Sequence, residues 1–249
     1  MRSRFHAPDA HTSGDLVVLP DEEARHLTRV LRLAAGDAVR VFNGRGAEFD
    51  AVVEQVLRGS VSIRLGGRRE PAAEARVAIT LAQAVLKGDK MDDVVRDAVM
   101  MGAAAIQPIV TARTEVTLAA LERGRRRARW ERIAISSAKQ CGRAVVPRVH
   151  EPAAFEAALG AVAAMTLPAL ALLFVEPGAA PETLPAGEID ARPPKEATVI
   201  LGPEGGWTPH EIERAAGPCR LITLGGRTLR ADAIPMVALA ALFTRWNEF

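Results

Sequence analysis

From residue 76 onward, apolar runs of β character alternate with segments of helical character, and this alternation narrows the available folds more than anything else in the chain. Val77 to Val85 is a β-prone run, and Asp89 to Met101 reads as a helix that ends at Gly102. Ala104 to Val110 is the next run; a long helix then extends from about Ala119 to Gln140, stops at Gly142 and is followed by Ala144 to Val149. A helix over Ala153 to Ala164, an apolar run over Ala169 to Val175 and a loop rich in proline and glycine from Pro177 to Pro194 come next. Ala197 to Leu201 and Leu221 to Leu224 are the last two runs, and Ala231 to Trp246 is the closing helix. Strands that are apolar along their whole length have to be buried on both faces, and the intervening helices supply the cover. The pattern therefore predicts an α/β domain built on a parallel sheet covered by helices.

The first 70 residues read differently. Short β-like runs over Asp15 to Leu19, Ala38 to Phe42, Glu48 to Leu57 and Ser60 to Leu65 are separated by turn signals such as Gly36-Asp37 and Asn43-Gly44-Arg45-Gly46. Short, evenly spaced strands suggest a small barrel. One helix interrupts them, with Asp21 expected as its N-cap and His26, Arg29 and Arg32 expected near one face. Gly66 to Pro71 reads as the linker, which divides the chain into residues 1–71 and 72–249.

With 49% hydrophobic and 25% charged residues the chain can build a full core, so disorder and fibrous classes are excluded. Two cysteines, Cys141 and Cys219, are too few for a disulfide framework, and the five histidines show no metal-ligand spacing. A cytoplasmic protein with neither metal nor membrane span is expected: Met1 to Pro20 lacks a signal-like apolar core, and the longest apolar stretch, Ala161 to Val175, is broken by Thr166 and Pro168. Net charge is only +2, but Arg113 to Arg148 holds ten Lys or Arg against three Asp or Glu, a local excess of seven. Its centre is Arg123-Gly124-Arg125-Arg126-Arg127-Ala128-Arg129-Trp130-Glu131-Arg132, a density that suits a polyanion such as RNA.

Two segments carry the candidate chemistry. In the first, the apolar run Val199-Ile200-Leu201 enters Gly202-Pro203-Glu204-Gly205-Gly206 and then a helix whose start is over-determined by Thr208 at the N-cap, Pro209 at N1 and Glu211 at N3. In the second, Leu221 to Leu224 enters Gly225-Gly226 and a loop with Arg227 and Arg230 before the last helix. Both loops must leave the carboxyl edge of the sheet, where open parallel sheets bind ligands, so they are expected to share one pocket. Phosphate-loop, dinucleotide and serine-hydrolase signatures are absent from the chain.

Ordered along the chain are His26-Leu27-x-Arg29-Val30-Leu31-Arg32, Phe42-x-Gly44-x-Gly46, Lys87-x-Asp89-Lys90-Met91-Asp92, Pro108-x-x-Thr111-x-Arg113-Thr114, Gln140-x-Gly142-Arg143, Leu201-Gly202-Pro203-Glu204-Gly205-Gly206 and Leu224-Gly225-x-Arg227-x-Leu229-Arg230-x-Asp232. In this set the chain resembles the bacterial 16S ribosomal RNA N3-uridine methyltransferases, the RsmE family of the SPOUT class of S-adenosylmethionine-dependent RNA methyltransferases. The resemblance implies a PUA-like barrel for RNA, then a SPOUT fold with a carboxy-terminal trefoil knot, in a homodimer that acts on 16S rRNA within the small ribosomal subunit. It implies that Glu176, Leu201, Gly202, Pro203, Glu204, Gly205, Gly206, Leu224, Gly225, Leu229, Arg230 and Ala233 line the site of S-adenosylmethionine. Arg230 is then expected as the cation beside the reacting base, and Glu204 as the group that positions cofactor or base or accepts a proton. Arg2, Arg4, His26, Arg29, Arg32, Arg113, Gln140 and Arg143 are expected to hold the RNA. A non-catalytic RNA-binding assembly factor with purely structural glycine loops is the alternative. The chain departs from the family pattern at Met100, Lys139 and Asp232-Ala233-Ile234.

Overall fold

The structure is a computed structural model that describes residues 2–164 and 169–248. The expected break at Thr166 and Pro168 lies outside the described residues. Two compact units are present: residues 1–74 with 135–146, and residues 75–134 with 147–249.

In the first unit the strands are β1 (Arg4–His6), β2 (Leu16–Val18), β3 (Ala38–Phe42), β4 (Glu48–Leu57) and β5 (Ser60–Arg69), with α1 (Asp21–Arg25) between β2 and β3. They form one sheet in the order β1-β3-β4-β5-β2, antiparallel apart from the β1–β3 pair. Phe5, Leu27, Val41, Phe49 and Ile63 fill its core. Residues read as linker prove to be strand: Arg68 and Arg69 pair with Phe49 and Glu48 after a register shift at Asp50, and a Cβ at Gly66 would lie 3.0 Å from the Asp50 carbonyl oxygen. Glycine there tolerates the close approach of a neighbouring backbone, so it marks a bulge and not the end of the strand.

The helix after β2 also differs from expectation. Pro20 is its N-cap and Asp21 its first residue, and a π-turn over His26–Val30 follows before Arg32 takes a left-handed φ of 55°. This winding breaks the spacing that would have set His26, Arg29 and Arg32 on one face.

Arg4 and Arg143 explain how residues 135–146 join this unit. The Arg4 guanidinium donates to the carbonyls of Ala138, Lys139, Gly142 and Arg143 and to the Glu48 carboxylate, with the side chain only 10% exposed. Arg143 is buried against Glu74. The departure at Lys139 has a partner as well: its ammonium lies 2.7 Å from Glu23 and over the Phe5 ring.

The second unit contains β6 (Ala78–Ala84), α2 (Lys90–Met101), β7 (Ala105–Val110), α3 (Leu118–Arg123) and α4 (Arg126–Cys141), whose last turns count with the first unit. β8 (Arg148–Val149), β9 (Ala153–Ala154), α5 (Phe155–Ala163), β10 (Ala169–Phe174) and β11 (Leu184–Pro185) follow. β12 (Glu196–Leu201), α6 (Pro209–Ala215), β13 (Arg220–Thr223) and α7 (Ile234–Arg245) complete it. The strands run β11-β13-β10-β12-β6-β7-β8, with β9 also on β7, and every pairing is parallel. The single long helix expected before residue 142 is two helices. Gly124 is extended, at φ −83° and ψ 173°, and the chain restarts at Arg126. Glycine is a weak helix former, and it sits where α3 ends. Trp130, 2% exposed, anchors α4 by donating its indole N–H to Asp92 of α2 at 3.1 Å.

Candidate active site

β10, β12 and β13 are neighbours in the sheet and point the same way, so the loops after their carboxyl ends emerge together. These loops and the start of α7 enclose a cavity of about 390 Å³. Glu176, Gly202, Pro203, Glu204, Gly206, Leu224, Leu229 and Arg230 line it, as do Phe174, Val175 and Trp207. Leu201 ends β12, fully buried, and Gly205, Gly225 and Ala233 belong to the same loops without lining the cavity.

Trp207 is a site residue that glycine counting misses. Its indole N–H donates to the Phe174 carbonyl at 2.8 Å, which ties the β12 loop to the end of β10. A Cβ at Gly202 would come within 3.1 Å of the indole, so any side chain there would have to push the ring aside. Gly206 has a left-handed φ of +66°, and a Cβ there would lie 2.3 Å from the Glu176 carboxylate. Below the loop, the Gln83 amide is fully buried and donates to the Gly202 carbonyl at 3.2 Å, while its Oε1 has no hydrogen-bond partner among the described residues. Downstream, the capping box forms as expected: Thr208 accepts from the Glu211 N–H, and Glu211 accepts from the Thr208 N–H and from the Ala112 N–H.

Charged side chains ring the mouth. The Lys90 ammonium donates to the Glu204 carboxylate at 3.0 Å, and the Lys87 backbone N–H donates to the same oxygen at 3.1 Å. Partial burial pulls the Glu204 carboxyl upward, but hydrogen bonds from its own backbone N–H, Lys90 and the Lys87 N–H outweigh that pull and hold it below the usual range. A carboxylate held anionic is a weaker proton acceptor, so positioning is the role its surroundings favour. Arg230 grips Asp232 through two hydrogen bonds of 2.9 and 2.6 Å, which bring the Asp232 carboxyl down to about 2. The shorter carboxylate at position 232 thus still reaches its cation.

The residues expected to hold RNA fall into two groups. Arg2, Arg29, Arg32 and Gln140 are exposed and His26 is half-buried. Arg4 and Arg143, by contrast, are bound within the first unit, and Arg113 packs over Gly205 and donates to its carbonyl at 2.7 Å. In the arginine run, Arg127 pairs with Glu131 and Glu151 and Arg129 with Asp89 and Asp92, while Arg123, Arg125, Arg126 and Arg132 are exposed.

Among the described residues no group of His, Cys, Asp and Glu is placed to hold a metal ion, and no helix is long and apolar enough to cross a membrane. The cavity suits S-adenosylmethionine on its own chemistry. Its apolar wall of Val175, Leu224, Leu229 and Ile234 suits a flat heterocycle, and Glu176 offers a carboxylate without an ion pair or hydrogen bond among the described residues.

The profile of the RNA methyltransferase domain matches residues 73–243, and that of the RNA methyltransferase PUA domain matches residues 19–66. The ribosomal RNA small subunit methyltransferase E of Synechocystis sp. is 34% identical over 229 residues, 91% of this chain and 72% of that protein. Its counterpart in Neisseria gonorrhoeae, solved bound to S-adenosyl methionine, is 31% identical with a TM-score of 0.86, covering 99% of this chain and 98% of that one. A Legionella pneumophila methyltransferase in complex with the cofactor SAM is 29% identical with a TM-score of 0.87, covering 98% of both chains. Along almost its whole length, the chain belongs to the ribosomal RNA small subunit methyltransferase E (RsmE) family of RNA methyltransferases.

Proposed function

We propose that this protein transfers a methyl group from S-adenosylmethionine to N3 of a uridine in 16S rRNA of the small ribosomal subunit, as a cytoplasmic homodimer with a knotted carboxy-terminal chain. The observation that carries the reading is the convergence of the loops after β10, β12 and β13 on one cavity, in a chain aligned end to end with relatives solved holding that cofactor. Bound there, S-adenosylmethionine supplies an electrophilic methyl group on a sulfonium. Gly202 and Gly206 let it approach the backbone, and Leu224, Leu229 and Ile234 would pack its adenine. Glu176 and Glu204 would accept from its hydroxyl or ammonium groups.

Methyl transfer to N3 needs no metal and no covalent enzyme intermediate; alignment and charge supply the rate. Neutral uridine carries a proton at N3 and is a poor nucleophile, so the site has to favour loss of that proton and stabilise the charge that spreads onto O2 and O4. Arg230, which lines the cavity, would take that task. N3 lies on the pairing edge of the base, so the nucleotide has to be unpaired or turned outward. The first unit and the exposed arginines of α3 and α4 would hold the surrounding backbone.

Calorimetry with S-adenosylmethionine, followed by mapping of methylated uridines in 16S rRNA from cells with and without the protein, tests the reading. Micromolar binding and one uridine methylated only in the presence of the protein are expected. RNA binding without cofactor binding would make it an assembly factor instead.

A further inference from the structure

Lys87 and Lys90 form a motif in the sequence that the cofactor site does not absorb, yet the start of α2 brings Lys90 to the cavity wall. The two lysines are used differently. The Lys87 ammonium turns to Glu115 at 2.5 Å, whereas among the described residues the Lys90 ammonium makes a single bond, to Glu204, and keeps two N–H donors. Exposure separates the cations of the mouth: Arg230 is 76% exposed and gripped through two of its nitrogens by Asp232, while Lys90 is 38% exposed against a Glu204 that is 23% exposed. A charge acts more strongly where water is partly excluded, and a donor held by a fixed carboxylate does not reorganise during the reaction.

We propose that Lys90 is a further catalytic residue, its ammonium donating to the uracil oxygen that gains negative charge as N3 is deprotonated, with Glu204 as the positioning residue that aims it. The inference rests on the reading that the site methylates uridine N3. In the step, the N3–H proton passes to solvent water, the N3 electron pair forms the bond to the methyl carbon, and the pair of the broken carbon–sulfur bond stays on sulfur. Glu204 bonds the Lys90 ammonium and Asp232 feels its charge, and Glu176, Arg227, Thr228 and Arg230 are the other charged and polar side chains that line the cavity with them.

The test compares wild type, Lys90→Gln and Lys90→Arg on small subunits purified from cells lacking the protein, with S-adenosylmethionine affinity measured by calorimetry alongside. Lys90→Gln should bind the cofactor within about twofold of wild type yet lose about 10- to 100-fold in kcat near pH 7, the scale of one lost donor at an oxyanion. Because the base then has to ionise without the ammonium, the loss should shrink as pH rises towards 9, and Lys90→Arg should recover most of the rate. Subunits reconstituted with 5-fluorouridine RNA, whose N3 is more acidic, should rescue Lys90→Gln selectively. A Lys90→Gln rate equal to wild type, or a loss uniform in pH and not rescued by the fluorinated base, overturns the proposal. A wild-type protein that binds no S-adenosylmethionine and methylates no uridine overturns the underlying reading instead.

Discussion

Gly206 shows how much one missing side chain can decide. Alanine there would meet a left-handed φ of +66° and the Glu176 carboxylate at 2.3 Å, and the flexible end of Glu176 is the part able to yield. Gly206→Ala should therefore cost about 1 kcal/mol of stability while swinging Glu176 out of the cavity, and calorimetry should find S-adenosylmethionine bound at least about tenfold more weakly, the size of one lost charge-assisted hydrogen bond. Cys219 offers a second check. Burial pushes its thiol up to about 11, so it should resist iodoacetamide at pH 8 in the native protein while the half-buried Cys141 reacts, as mass spectrometry would read. For Asp232 the sign runs the other way. Its carboxyl is held at about 2 by Arg230, so the pair favours the folded state above the ordinary aspartate range near 4, and that contribution fades as pH falls towards 2. Acid titration of Asp232→Asn against wild type should show the two stabilities converging at the low end.

Segments differ in how plainly their sequence announces them. The turn into α6 was fully legible: a strand, glycines, then Thr208, Pro209 and Glu211 in the spacing of a capping box, all found in place. Thr208→Ala should cost about 1 kcal/mol and lower Tm by about 2–4 °C in a chain of this size. Glu211→Ala should cost more, because that carboxylate also accepts from the Ala112 N–H next to β7. Less legible were the extension of β5 through Gly66 and Gly67, where two glycines resemble a turn, and the break between α3 and α4, which a single Gly124 had to signal against a helical background. Lys90 stands in a sequence motif and Trp207 directly follows the glycine loop, yet their meeting at one cavity was not legible. Both are local residues of ordinary elements, and only the parallel order of β10, β12 and β6 carries them to one cavity. Arg4 and Arg143 looked like RNA ligands by charge; tertiary carbonyls and Glu74 claim them instead, partners that spacing along a chain cannot reveal.

At the scale of the molecule, sequence exposes overall class through the alternation of apolar runs, and charge distribution through simple counting. Exposed Arg125, Arg126 and Arg132 lie in a segment with a local excess of positive charge. Replacing all three with Glu should weaken binding to small subunits and flatten its dependence on salt by about one to three phosphate contacts' worth of slope, measured by filter binding between 50 and 200 mM KCl. Catalysis on saturated enzyme should change less than affinity. The stretch 135–146 of the first unit is encoded after the whole of α2, β7 and α3 and the first turns of α4. During vectorial synthesis the amino-terminal strands emerge long before the carbonyls that Arg4 needs, so this module cannot finish folding while it is the only part outside the ribosome. The last contacts of the amino-terminal module therefore close only once residue 143 has left the ribosome.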